Sequence, residues 1–272
     1  MTATLTEAQA GSPRRRHSLW REALLSLRGN RVAVISALVL LLMVLVSFVG
    51  PLASPYTGDE INLRIANHPP ATDHWLGTDK YGRDVLTRLM LAGRISLTVG
   101  LASMALSLVL GTFLGLVAGY FGGWVDAVVM RVVDLLMSIP GLPLLIVLAA
   151  ILSEFKIAPE SRLYLVMLML SLIGWPALAR LIRGQVLTLR EQMFMRATDV
   201  LGLGLRSKIL RHLLPNVLPV LIVVATLGTA SSIISESSLS FLGLGVMEPH
   251  ASWGNMINSA NNLVDFRNHW WL

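Results

Sequence analysis

The 272-residue sequence predicts an all-α protein, a polytopic membrane helix bundle. Three observations carry that reading. Hydrophobic residues make up 54% of the chain and charged ones 14%, where soluble chains run to about 45–50% and roughly 25%. Uncharged apolar runs recur, each near the roughly 20 residues a helix needs to cross a bilayer. The basic residues gather in segments an even number of such runs apart, so both fall on one side, the cytoplasm by the rule for positive loops.

Composition also excludes. The net charge of +6 is a topology signal on a chain with so few charges, and a nucleic-acid partner is not expected. No cysteine is present, so disulfides, thiolate metal sites and a cysteine nucleophile are ruled out.

Residues 1–31 read as a basic cytoplasmic tail, with Arg14, Arg15, Arg16, Arg21, Arg28 and Arg31 against Glu7 and Glu22. Residues 32–51 form the first transmembrane helix. The run is longer than the roughly 7–15 residues of a secretory h-region and lacks a small-x-small site, so it reads as an uncleaved anchor. Residues 52–93 form an external loop of mixed charge, in which His68, Asp73 and His74 read as solvated rather than metal-binding. The remainder, 94–272, is a core with further spans over 95–120, 127–153, 163–179 and 213–235. Trp270-Trp271-Leu272 reads as the first turn of a sixth span, cut off, because aromatic pairs favour the membrane interface.

On the second span Ser103, Ser107, Gly111, Gly115 and Gly119 recur every four residues. Such a ridge lets backbones approach closely in lipid, either within the chain, the simpler reading, or at a subunit interface. On the third, Arg131 and Asp134 stand three apart near the cytoplasmic start, after Asp126. They read as an intramembrane charge pair that neutralises itself, structural rather than a proton relay. Glu236 closes the fifth span with the same ambiguity.

Chemistry is sparse. No phosphate-binding G-x-x-x-x-G-K-[ST] and no H-E-x-x-H occurs, so no nucleotide, metal or other cofactor is expected and nothing marks an enzyme. Residues 180–212 form a long cytoplasmic loop with Arg180, Arg183, Arg190, Arg196, Arg206, Lys208 and Arg211. Residues 185–201 read as an amphipathic helix with Val186, Leu189, Met193, Ala197, Val200 and Leu201 on one face. Gly202 and Gly204 then permit the positive φ of a tight turn, and 205–212 form a second short helix before Leu214-Pro215-Asn216. Two short helices held at a glycine corner make a compact lever.

The stretch from Phe194 to Asn216 resembles the E-A-A-x-x-x-G-x9-I-x-L-P signature of permease subunits of bacterial ATP-binding-cassette importers. Ala197, Gly202, Leu214 and Pro215 match it, whereas Arg196, Thr198 and His212 stand where the signature has Glu, Ala and Ile. Leu76 to Asp84 with Arg88, Gly119 to Asp126 with Arg131 and Asp134, and Leu239 to Gly245 with Ser252-Trp253-Gly254 resemble the second permease of the dipeptide/oligopeptide/nickel branch.

The resemblance implies the type I importer permease fold, here five full helices plus the start of a sixth, in a bacterial cell membrane with the N-terminus inside. It implies a second homologous permease, two cytoplasmic ATP-binding subunits and an external substrate-binding protein as partners. The coupling loop would present Arg190, Arg196, Ala197, Thr198, Asp199, Gly202, Gly204, Arg206, Leu214 and Pro215 to an ATPase. The implied cargo is di- or oligopeptides, with nickel, glutathione or sugars as alternatives. A self-sufficient secondary transporter and a truncated, non-functional copy are the readings from other classes.

Overall fold

In the computed structural model, residues 29–155, 157–259 and 267–272 are described; the basic tail up to Arg28 lies outside them. Helix α1 spans Arg31–Phe48, begun by Asn30, whose side-chain oxygen accepts from the N–H groups of Val32 and Ala33. Its uncharged residues are exposed along most of its length, as a helix bathed in lipid requires. From Val44 onward the chain forms one compact unit.

Helix α2 (Val85–Phe121) has 37 residues, about 55 Å at 1.5 Å per residue, so it outruns a hydrocarbon core of about 30 Å. It begins ten residues before the apolar run, because Asp84 caps it by accepting from Thr87 N–H at 2.8 Å. The boundary expected at 93/94 therefore falls inside a helix. Two glycines at positive φ, Gly122 and Gly123, turn the chain into α3 (Gly123–Met137). The third span is not the single helix expected over 127–153. It breaks at Pro140, and α4 (Gly141–Glu154) leaves at 81° to α3. Proline removes an N–H and pushes the preceding residue out of the helical region.

Helix α5 (Pro159–Arg190) runs 32 residues, well past the expected end at 179. It packs along α2, and the small-residue ridge is what allows it. A Cβ at Gly111 would stand 2.7 Å from Leu178, at Gly115 2.6 Å from the Ala179 carbonyl, and at Gly119 2.8 Å from Val186. Ser107 donates across the seam to the Ser171 carbonyl at 3.2 Å. The ridge is thus used within the chain.

The helix expected over 185–201 is divided. α5 ends at Arg190 and α6 spans Met193–Val200. Val186 and Met195 are both buried in one cluster with Leu116, Leu213 and Val217. Nine residues apart on a straight helix they would face opposite ways, so the break at Glu191–Gln192 is what brings both inward. Next, Leu205–Ser207 and a π-turn over Lys208–Leu213 run directly into α7 (Leu214–Phe241). The second short helix is therefore the continuation of the fifth span, a helix unbroken over Leu205–Phe241. Helix α8 (Trp253–Ser259) follows.

Among the described residues, four helices are long and apolar enough to cross a membrane, five with the bent α3–α4 pair counted as one. The Trp270–Trp271 pair sits in a turn where Trp271 Nε1 donates to the Thr78 carbonyl at 3.4 Å.

Candidate functional site

Polar structure collects at both ends of this bundle. One end is the corner after α6. Gly202 lies at φ +64° with nothing within 4 Å of a Cβ built there. Its N–H donates to Asp199 O and that of Leu203 to Thr198 O, both at 3.0 Å. This is the paired closure of a helix C-terminus that a left-handed residue makes possible. Gly204 does not share that role, since its φ is −67° and it opens the next turn.

The other expected coupling residues surround this corner. Arg190 is half-buried and donates to Tyr120 O at 3.1 Å, tying the end of α5 to α2. Arg196 is exposed and pairs with Glu191 at 3.5 Å. Ala197 and Arg206 are exposed. Thr198 is buried and donates to Met195 O at 2.6 Å. Leu214 is half-buried against the cluster that holds Val186 and Met195, and Pro215 occupies the first turn of α7. The apolar stripe read from 186–201 divides with the helix. Val186 packs inward, while Met193, Val200 and Leu201 are 87%, 90% and 73% exposed, a bare apolar tip. Lys208, which the sequence did not single out, crosses the corner to Asp199.

The charges of α3 also differ from expectation. Asp134 does not pair with Arg131; it accepts from Arg180 on α5. Asp126 accepts both Nε and Nη2 of Arg183. The acids step up α3 as the arginines step down α5, so two ion pairs staple the antiparallel helices, and Arg131 forms no ion pair among the described residues.

The opposite end gathers residues far apart in sequence. Glu248, on the segment after α7, accepts from Arg83 at 2.7 and 3.2 Å and from Arg88 at 3.3 Å. Both arginines are buried. Asp79 accepts Arg83 Nε at 2.7 Å. Burial weakens the charged form of Arg83, but hydrogen bonds to Glu248 and Asp79 and their negative charge outweigh it, so its pKa is raised. His74 meets Asp84 at 2.9 Å and stacks on Tyr56 at 4.6 Å. This loop is folded, not merely solvated. Among the described residues no cluster of three or more His, Asp or Glu is placed to hold a metal ion.

Glu236 is fully buried and accepts from Ser96 at 2.8 Å and Ser240 at 2.6 Å. Those hydroxyls in turn accept the N–H groups of Trp253 and Val246, so the carboxylate organises the segment after α7. Between α2, α5 and α7 lies a cleft of about 330 Å³ whose polar lining is Ser107, Ser231, Ser232 and Ser235.

Residues 111–266 match the family described as binding-protein-dependent transport system inner membrane component, which takes in α3 to α7 and the corner. Residues 18–70 match the N-terminal transmembrane domain of oligopeptide transport permease C. The chain is 42% identical over 233 residues to a Brucella suis protein named as a peptide permease, covering 86% of this chain and 75% of that one. It is 36% identical over 239 residues to the oligopeptide transport system permease protein OppC of Bacillus subtilis, covering 88% and 76%. With the dipeptide transport system permease protein DppC of the same organism it shares 36% over 252 residues, 93% and 75% of the two chains. Matched over more than half its length and to relatives well above 30% identity, the chain belongs to the inner membrane permease family of binding-protein-dependent transport systems.

Proposed function

We propose that this chain is one of two permeases of an ATP-driven importer of di- and oligopeptides, multi-pass in a bacterial cell membrane with its N-terminus in the cytoplasm. The names of its relatives supply the cargo class, and the basic segments supply the orientation. The observation that carries the coupling is the bare tip of Met193, Val200 and Leu201 around Gly202. An exposed apolar patch of this kind marks an interaction site, and Arg190, Arg196 and Arg206 around it would set register on a cytoplasmic ATP-binding subunit more than affinity.

Nucleotide hydrolysis belongs to that subunit, and the permease itself catalyses nothing and holds no cofactor. Because the helix from Leu205 to Phe241 is unbroken, a push at the corner would carry along it to the Glu236 end. Rigid movement of the bundle against the second permease would then alternate access for cargo delivered by an external binding protein, with the serine-lined cleft as one wall of the pathway.

Loss of the chain is expected to abolish uptake of labelled di- and tripeptides, and its return to restore it. A Leu201→Cys variant is expected to crosslink to the co-expressed ATP-binding subunit. Uptake indifferent to the chain, or labelling of Leu201→Cys by an impermeant thiol reagent from outside intact cells, overturns the proposal.

A further inference from the structure

Helix α3 has two faces of opposite fate. Asp126, Met130 and Val133 turn toward α5, where Arg183, Trp175 and Ala179 receive them. Trp124, Val128, Arg131 and Leu135, spaced at helical intervals, lie on the other side. Trp124 is 77% exposed, Val128 55% and Leu135 62%. In their midst Arg131 is exposed and forms no ion pair among the described residues, since the neighbouring acids Asp126 and Asp134 are taken by Arg183 and Arg180.

A guanidinium on an apolar membrane helix calls for an anion. We propose that this face of α3 holds the phosphate of an anionic phospholipid of the inner leaflet, with Arg131 as its ligand. The assignment to that leaflet rests on the orientation proposed above. Helical side chains lean toward the helix N-terminus, here the cytoplasmic end, and arginine extends its apolar stem to bring the charged head to the interface. Trp124, about 10 Å nearer that end by helical rise, stands where aromatic residues meet headgroups. The planar fork of arginine suits two phosphate oxygens, and the bare Val128 and Leu135 leave room for acyl chains. Charge complementarity favours this occupant, because the headgroup layer at the level of Trp124 supplies phosphate to the guanidinium that Arg131 extends toward it.

The test is native mass spectrometry of the full chain with added phosphatidylglycerol or phosphatidylcholine. The wild type is expected to retain phosphatidylglycerol about fivefold better, the factor for one arginine at a membrane surface. Arg131→Gln is expected to lose that preference, Arg131→Lys to keep part of it, and inorganic phosphate not to compete. Equal retention of the two lipids by the wild type overturns the proposal and leaves a carboxylate of the second permease as the partner of Arg131. A preference unchanged in Arg131→Gln, or lipid displaced by inorganic phosphate, also overturns it. None of these readouts needs transport or an ATPase, so they fail separately from the proposed function; labelling Trp124→Cys from either side of the membrane reads the leaflet by itself.

Discussion

Lys208 and Asp199 meet across the glycine corner, the ammonium of the π-turn on the carboxylate of α6. The pair bridges the two sides of the turn, in addition to the apolar cluster that holds Met195 and Leu213. Asp199 is 68% exposed and Lys208 13% on their side chains. An ion pair whose acid is open to solvent contributes little to overall stability, so its effect is expected on the corner rather than on the fold. Asp199→Asn should leave membrane abundance unchanged and lower peptide uptake severalfold. The exchange Asp199→Lys with Lys208→Asp should recover most of it, measured as uptake per unit of inserted protein.

Gly202 sets a sharper expectation. Its φ of +64° with open space around it means that a side chain would meet no neighbour, only the conformational cost of the left-handed region. That cost is about 1–2 kcal/mol for an ordinary residue and more for a β-branched one. Gly202→Ala should therefore retain partial uptake. Gly202→Val should abolish it while still inserting in the membrane, as judged by immunoblot of membranes beside the uptake assay.

What the sequence made legible follows from the range over which each signal acts. The ridge from Ser103 to Gly119 repeats every turn, so its use as a seam could be read from spacing, and the corner at Gly202 could be read because only glycine takes that φ cheaply. Spacing pairs Asp134 with Arg131 because both lie on one helix, yet its partner is Arg180, 46 residues away. Glu248 escaped for the same reason, standing 165 residues from Arg83. The division of 185–201 was invisible because no proline or glycine marks it; the burial of Val186 and Met195 in one cluster imposes it.

The seam of α2 on α5 can be tested by contrast. At Gly115 a Cβ would stand 2.6 Å from a backbone carbonyl, whereas at Gly184 nothing lies within 4 Å. Gly115→Val should force the helices apart and cost about 1–3 kcal/mol, the usual range for overpacking. Gly184→Ala sits in the partner helix α5 without obstruction and should be neutral or stabilising by about 0.5–1 kcal/mol. Thermal unfolding of the purified chain in detergent, with the two variants run together, separates the effects. Equal losses would show that the ridge is not the seam.

The Glu248 carboxylate holds two arginines whose side chains are 7% and 4% exposed while its own is 53% exposed. The asymmetry matters. Removing the acid leaves Arg88, whose remaining carboxylates stand at 3.5 Å on Asp59 and 3.8 Å on Asp79, short of charge compensation in a buried position. Arg83 keeps Asp79 at 2.7 Å. Glu248→Gln retains the shape but loses the charge, and a charge-assisted hydrogen bond is worth about 1.5–3 kcal/mol; exposure of the acid to solvent places the expected loss toward the lower figure. Glu248→Ala should lose more, since neither guanidinium then finds an acceptor at position 248. The double variant Arg88→Leu with Glu248→Ala should recover part of the loss, because the buried charge leaves along with its partner. Unfolding temperatures of the four forms complete the cycle. Additive losses would mean that Arg88 and Glu248 act independently and that Glu248 ties the segment after α7 through Arg83 alone.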